Sequence, residues 1–189
     1  MAEVSVLVGA QWGDEGKGKW SNYLSHGADV VARFQGGNNA GHTIYVEGEK
    51  LVLHQVPCGL GAQNQILALT AGVVVNPEEL ISEVSMLSER VHSSFSDRIL
   101  ISENAFVITP WHIYLDSKSE ENSQNPIGTT KRGIGPTYQD RVSRMGLKVH
   151  DYMNQKARSK WLESMSYKSE EFCQFYTDNE EKWESFFEA

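Results

Sequence analysis

The chain has 189 residues, of which 40% are apolar and 22% charged, so its length and composition fit one globular domain and exclude a chain disordered throughout. Its formal net charge of −8 argues against a general nucleic-acid binder, which needs a basic face. Two distant cysteines, Cys58 and Cys173, form neither a disulfide framework nor a zinc motif, and they fit a reducing compartment.

The first residues do not resemble a targeting segment. An acidic Glu3 precedes the short apolar run Val4–Val8, and a signal peptide would need a basic leader and a longer apolar stretch. No run approaches the ~18 apolar residues of a membrane span. We therefore expect a cytoplasmic protein with no membrane or nucleic-acid partner.

The N-terminal elements alternate in type. The β-branched run Val4–Val8 predicts a buried strand, and a glycine-rich loop follows at 9–19. A short helix is expected next, with Trp20, Tyr23 and Leu24 on one face and its end near Gly27. Residues 29–34 predict a second strand, which leads into a second glycine-rich loop at 35–43.

The following segments have clear turn and helix signals. Residues 44–46 and 51–54 predict a hairpin, and Asn76 followed by a proline predicts a helix start, with apolar residues at helical spacing as far as Val91. Further short strands are expected at 66–69, 73–75 and 98–102. The polar stretch 117–126 predicts a loop, and the glycine-free, aromatic-rich segment 151–189 predicts helices.

Strands that alternate with helices predict an α/β fold with a mainly parallel central sheet and flanking helices. We expect a nucleotide-binding catalytic part over residues 1–150 and an acidic helical segment over 151–189.

The first loop has the features of a phosphate site. A strand, glycines and a helix start present backbone N–H groups to an anion, and Lys17 and Lys19 add two cations. It is not a Walker A motif, since Gly9 lies seven residues before Gly16 and Gly18 takes the Ser/Thr position. The alternative is a tight turn with solvated lysines.

Asp14 suggests more than an anion cradle. A carboxylate between Gly13 and the lysines could bind Mg²⁺ beside phosphate or take a proton from a substrate. It could equally cap the following helix.

His42 ends the second loop, where open α/β sheets place their ligands. A protonated imidazole could donate to a transferring phosphoryl group, although a surface loop histidine is the alternative. The other histidines have no comparable setting, and His54, which ends a strand, is the least certain of them.

A third, basic loop follows at 127–136, with Thr130, Lys131 and Arg132, and Arg141 and Arg144 lie beyond it. A basic patch beside glycines in an acidic chain suggests a phosphate ligand. A solvated basic face would explain the same pattern.

Together the loops resemble those of the adenylosuccinate synthetase family. The strings that carry the resemblance are QWGDEGKGK at 11–19, QGGNNAGHT at 35–43, LHQVPCG at 53–59 and GTTKRGIGPTY at 128–138. The first string is far more specific than a lone GxGxxG, and the order of the strings also fits. The resemblance covers about residues 4–152.

The resemblance implies a P-loop-NTPase-like fold, a homodimer and the GTP-driven joining of L-aspartate to IMP in purine nucleotide synthesis. Asp14 would be the general base on the purine N1 and His42 the general acid, with a 6-phosphoryl intermediate between them. Mg²⁺ would be held by Asp14 and the Gly41 carbonyl. Arg144 would reach the neighbouring subunit's site.

The resemblance also assigns the binding sets. The GTP set is Gly13, Asp14, Glu15, Gly16, Lys17, Gly18, Lys19, Gly41, His42 and Thr43. The IMP set is Asp14, Glu15, Gly16, Lys17, Asn39, Ala40, Gly41, His42, Thr130 and Arg144.

The sequence departs from the family in length. Members are about twice as long or more, and their aspartate-binding loop and guanine-reading Lys-x-Asp motif are not found here. The chain could be artificially shortened, a truncated gene product or a degenerate copy. A noncatalytic remnant that binds nucleotides or pairs with a full-length partner therefore stays open, as does a viral-type synthetase acting on dGMP. We expect poor discrimination between GTP and ATP by the 189 residues alone.

Overall fold

The computed structural model describes residues 3–11, 13, 15–46, 48–60, 62, 64–91, 95–123 and 128–189. The strands are β1 (Val30–Arg33), β2 (His42–Val46), β3 (Glu49–Leu53), β4 (Ile66–Leu69), β5 (Val74–Val75), β6 (Ile99–Ile101) and β7 (Phe106–Val107). The helices are α1 (Lys17–Leu24), α2 (Pro77–Arg90), α3 (Pro110–Asn122), α4 (Ile134–Ser143), α5 (Val149–Tyr152), α6 (Gln155–Lys168), α7 (Glu170–Asp178) and α8 (Glu180–Glu188). A 3₁₀ turn, Ser96–Arg98, leads into β6.

The strands pair mainly in parallel. A three-stranded sheet has the order β1-β4-β6, with Val30 opposite Ile66 and Leu67 opposite Ile99, and β5 pairs in parallel with β7. The antiparallel pair β2–β3 is the predicted hairpin, in which His42 lies opposite Leu53. These pairings and the flanking helices confirm the α/β class with parallel strands.

Helix α2 begins as its sequence predicts. Asn76 has extended backbone and its side chain accepts a hydrogen bond from the Glu79 amide, while Pro77 takes the first helical position, where no N–H partner is needed. The Asn76 backbone is also held by the buried Gln55 side chain, which accepts from the Asn76 N–H (2.8 Å) and donates to the Asn76 carbonyl (2.9 Å). The start of α2 is therefore tied to the turn after β3.

Helix α3 overturns part of the predicted loop at 117–126, because the helix continues to Asn122. Its start is fixed by His112, whose Nδ1 accepts from the Thr109 amide. Farther along, Lys118 forms an ion pair with Glu171 of α7. The polar residues after 117 are therefore the solvent face of a helix. Residues 124–127 lie outside the described residues.

The N-terminal run was predicted as a buried strand, and this prediction is wrong in the structure. Residues 3–9 form no strand, and Val4, Val6 and Val8 are 84%, 71% and 66% exposed. A β-branched run becomes a strand only where a neighbouring strand can pair with it, and none of the described residues does so. The predicted face of α1 is exposed as well, with Trp20 and Tyr23 packed edge to face at 6.1 Å.

Among the described residues, two larger apolar clusters hold the rest together, and a third, smaller one joins Val74, Phe106 and Ile108. The first lies between the sheet, the hairpin and α2, with Leu53, Leu67 and Leu87 fully buried. The second gathers aromatic side chains of α6–α8 around Trp183, and it includes Trp111 of α3. Among the described residues, no helix is both long and apolar enough to cross a membrane.

Candidate functional site

The first glycine-rich loop leads into α1 through Gly16, whose backbone has a φ of +74°. That left-handed conformation favours glycine, because a side chain would be strained there. Trp12 and the predicted base and metal ligand Asp14 lie outside the described residues.

Backbone amides of the first loop already face an anion, the carboxylate of Glu15. It accepts from the amides of Gln11 (3.1 Å) and Gly13 (3.4 Å) and forms an ion pair with Lys17. The Lys17 ammonium, followed by backbone donors, lowers the pKa of Glu15 to about 2. The loop thus offers the amide donors and the cation that a phosphate would need.

Helix α1 packs directly on the start of β2, and the small size of Gly18 makes this possible. A Cβ added to buried Gly18 would come within 2.7 Å of the Cβ of His42 and 3.3 Å of the sulfur of Cys58. The structure therefore brings the helix after the first loop against His42, as a site formed by the first and second loops requires. Cys58 is 6% exposed, and burial raises the pKa of its thiol to about 12.

His42 is the first residue of β2, not a loop residue as its sequence setting suggested. Its side chain is half-buried. Burial lowers the pKa of His42, and the positive charges of Arg33, Lys17 and His54 lower it further. The free imidazole is therefore neutral near pH 7, and a bound anion would be needed to make it the expected proton donor.

The second loop is buried at its middle and more exposed on either side. Gly37 and Asn38 are buried, whereas Asn39 and Gly41 are exposed and Ala40 is half-buried. Both polar atoms of the Asn38 side chain are buried and lack a hydrogen-bond partner among the described residues. The sequence predicted its neighbour Asn39 as an IMP ligand and gave no signal for Asn38.

The third loop reaches the second through Arg132. Its guanidinium donates to the Asn38 carbonyl and lies 3.4 Å from the Glu79 carboxylate. Gly133, with a φ of +76°, starts α4 and donates its amide to buried Asp116 at 2.9 Å. The basic stretch is thus attached to the second loop by one arginine.

Two predicted ligands of the monophosphate lie apart from this contact. Thr130 is exposed, and Arg144 is exposed at the end of α4 with a φ of +63°. Within the described ranges, no hydrogen bond or ion pair joins either side chain to the first or second loop. Their roles stay predictions.

Three residues that were not predicted support the second loop. Arg33 of β1 donates to the Gly37 carbonyl at 2.6 Å, Nδ1 of His54 lies 3.0 Å from the Ala40 carbonyl, and Glu83 of α2 holds the backbone beside His54. Arg33 and Glu83 lie outside the four family strings, and the string at 53–59 contains His54 without indicating its contact. Their partners are backbone atoms brought close only by folding.

The predicted Mg²⁺ ligands combine a carboxylate, Asp14, with a carbonyl, that of exposed Gly41. Oxygen donors of this kind suit Mg²⁺, which needs only one or two protein ligands when phosphates and waters complete its shell. Within the described part of the chain, no group of three or more His, Cys, Asp or Glu side chains could hold a metal by itself. The donor chemistry therefore fits a metal shared with a phosphate.

Comparisons with known proteins agree on one family. The sequence model described as adenylosuccinate synthetase matches residues 6–189. The adenylosuccinate synthetase of Geobacillus kaustophilus is 48% identical over 159 residues, covering 84% of this chain and 37% of the relative. That of Lactococcus lactis subsp. cremoris strain MG1363 is 43% identical over 185 residues, covering 97% of this chain and 43% of the relative. The chain thus spans about two fifths of the length of these relatives.

Solved structures of synthetases also resemble this chain. A fully ligated adenylosuccinate synthetase from Plasmodium falciparum superposes with a TM-score of 0.80 at 36% identity, covering 95% of this chain and 42% of that one. The cyanophage S-2L succinoaminodeoxyadenylate synthetase, 24% identical with a TM-score of 0.54, covers 71% of this chain and 36% of its own and shares the fold. Because the family model and these relatives match most of the chain, and the loops agree with them, the chain belongs to the adenylosuccinate synthetase family.

Proposed function

We propose that these residues form the catalytic N-terminal part of an enzyme that joins L-aspartate to IMP at the expense of GTP. The observation that carries the proposal is the packing of α1, which follows the first glycine-rich loop, against His42 through Gly18. This contact places a phosphate-type loop beside a titratable imidazole within a chain of this family.

The first chemical step is a proton removal followed by phosphoryl transfer. Asp14 takes the proton from N1 of IMP, which leaves negative charge on O6. O6 attacks the γ-phosphorus of GTP, so that an O6–P bond forms while the bond to the bridging oxygen of GDP breaks. The loop amides and Lys17 stabilise the charge on the phosphates.

The second step is displacement at C6. The amine of aspartate attacks C6 of the 6-phosphoryl intermediate, the C6–O6 bond breaks, phosphate leaves and the amine loses a proton. His42 donates a hydrogen bond to the transferring phosphoryl group and to the leaving phosphate. The phosphates' charge supports this role, since it opposes the cations that lower the pKa of free His42.

Mg²⁺, held by Asp14 and the Gly41 carbonyl, would neutralise phosphate charge when bound. The backbone of 13–19 and 41–43 would contact GTP, and Asn39, Thr130 and Arg144 would contact the monophosphate. The exposure of Arg144 suits a contact with a second copy of the chain in a homodimer.

The test uses the protein expressed from its complete natural reading frame. With Mg²⁺, GTP, aspartate and IMP labelled with ¹⁸O at O6, we expect adenylosuccinate and one ¹⁸O atom in the released phosphate. Asp14→Asn should lower turnover by about 10²–10⁴-fold. Asp29→Asn, an exposed aspartate before β1, is the matched control and should leave turnover unchanged.

Product with dGMP in place of IMP would assign a different purine substrate. Nucleotide binding without product would identify a noncatalytic nucleotide-binding protein. A loss below fivefold in Asp14→Asn, with normal folding, would show that Asp14 is not the general base.

A further inference from the structure

A buried carboxylate and a half-buried guanidinium hold the same short segment, His54–Val56, from two sides. Glu83 of α2 is 7% exposed, and its carboxylate accepts from the amides of His54 (2.9 Å), Gln55 (2.9 Å) and Val56 (3.2 Å). Three donors of one backbone segment therefore point at one buried anion.

Arg33 holds the carbonyls of the same segment. Its Nη1 donates to the carbonyls of His54 and Gln55, the latter at 3.3 Å. Its Nη2 donates to the Gly37 carbonyl at 2.6 Å, and Nε donates to that of Gln35 at 3.3 Å. One planar guanidinium thus joins the turn after β3 to the beginning of the second glycine-rich loop.

His54 makes the second connection to that loop. Its Nδ1 lies 3.0 Å from the Ala40 carbonyl, so this nitrogen carries the proton that makes the bond. Ala40 immediately precedes Gly41 and His42. The loop is therefore held at Gly37 by Arg33 and at Ala40 by His54.

The charge of Glu83 favours the charged form of Arg33 across the segment. Burial lowers the pKa of Arg33, and the negative charge of Glu83 acts in the opposite direction. Burial raises the pKa of Glu83, and the backbone donors of residues 54–56 oppose that rise. Within the described residues, no direct ion pair joins the two, so backbone atoms connect them.

We propose that Arg33 is a positioning residue for the reaction: with Glu83 it fixes the His54–Val56 turn and thereby sets where the Gly37–Gly41 loop presents Gly41 and His42 to the nucleotides. This role depends on the proposed function, since it matters for turnover only if His42 and Gly41 act there. Arg33 itself touches none of the reacting atoms.

The decisive variant is Arg33→Lys, which keeps the charge but loses the planar fork that reaches both the loop and the turn. Arg98→Lys is a matched control, because Arg98 also holds backbone carbonyls, those of Gln65 (2.9 Å) and Ala62 (2.8 Å), away from the glycine-rich loops. Both variants are compared in the protein from the complete reading frame, by steady-state kinetics, thermal unfolding and ¹⁵N-histidine NMR.

We expect Arg33→Lys to lower kcat by about tenfold to 10²-fold, the scale of a misplaced reacting group, with KM within threefold. The ¹⁵N resonances of His42 and His54 should shift. Arg98→Lys should lose similar thermal stability and leave kcat and both resonances unchanged. Equal kcat losses in the two variants, or unmoved histidine resonances in Arg33→Lys, would show that Arg33 only stabilises the fold.

A second pair of variants covers the case in which Arg33→Lys does not fold. In His54→Asn the amide nitrogen can take the place of Nδ1 and donate to Ala40, whereas His54→Ala cannot. We expect a kcat loss of at least tenfold in His54→Ala and recovery to within threefold in His54→Asn; no loss in His54→Ala would overturn the proposal. If the wild-type protein makes no product, the proposed function fails, while the His42 resonance in Arg33→Lys still decides whether Arg33 positions the loop.

Discussion

The titration of His42 is the property of a single residue that most directly reports on the site. Burial and then the cations Arg33, Lys17 and His54 keep its pKa below the ordinary 6.5, so the free imidazole is neutral at pH 7. If a triphosphate binds against His42 as proposed, its negative charge raises that pKa. Binding should therefore be accompanied by proton uptake between the two pKa values.

Calorimetry of GTP binding at pH 6.5, repeated in buffers of different ionisation enthalpy, measures this uptake. We expect fewer protons to be taken up in His42→Asn than in the unmodified protein. The nucleotide's own phosphate takes up protons in both measurements, so the difference between the two proteins gives the contribution of His42. Identical values for the two proteins would mean that His42 does not face the phosphates.

Individual site residues could be read from the sequence only where they belong to a motif. The strings at 11–19 and 35–43 predicted the two loops, and the structure brings the helix after the first loop against His42. Arg33 and Glu83 could not be found in this way, and the string at 53–59 contains His54 without indicating its contact with Ala40. Their hydrogen bonds join residues up to 29 positions apart, and such partners are created by the fold, not by local spacing.

At the scale of elements, the connection between the β3 turn and α2 depends on one buried amide. The Gln55 side chain, 0% exposed, serves both the N–H and the carbonyl of Asn76. Gln55→Leu leaves the buried N–H of Asn76 without a partner, which costs about 1–3 kcal/mol, whereas the Asn76 carbonyl still accepts from the Leu80 amide. We therefore expect a marked loss of stability in urea denaturation.

Gln139→Leu, at an exposed position of α4, is the control and should change stability by less than about 0.5 kcal/mol. If both variants lose the same amount, the buried amide contributes nothing specific.

Elements with local signals were predicted well, and those that need a distant partner were not. The start of α2 follows from Asn76 and Pro77 alone. The exposed segment Val4–Val8 has the composition of a strand, yet strand formation depends on pairing that no local pattern contains. Residues 117–122 were predicted as part of a loop, yet they belong to α3, where Lys118 forms an ion pair with Glu171 of α7 that no local pattern contains.

For the whole molecule, the main question is whether the cluster beneath the sheet and the helical cluster unfold together. The division predicted at residue 150 stays a prediction, but the helical cluster takes in Trp111 and Leu147 from before it. Trp183, at the centre of that cluster, is fully buried, and its Nε1 has no hydrogen-bond partner among the described residues.

Trp183→Ala should cost about 3–5 kcal/mol, whereas Trp183→Phe should cost less, because it keeps a ring and removes the unpaired N–H. Hydrogen exchange should accelerate in α6–α8 and α3 in the alanine variant and stay slow in β4. Equal acceleration in β4 would show that both clusters belong to one cooperative unit.

The close contact at Gly18 also makes the chain's two thiols chemically unequal. Cys173 is exposed on α7, whereas Cys58 lies beneath α1 with a pKa of about 12, so almost none of it is thiolate at neutral pH. An alkylating reagent should therefore modify Cys173 at once and reach Cys58 only when α1 lifts away from β2. The rate of Cys58 modification therefore measures how often α1 and the loop before it move away from β2. A ligand that bridges the first and second glycine-rich loops should lower that rate.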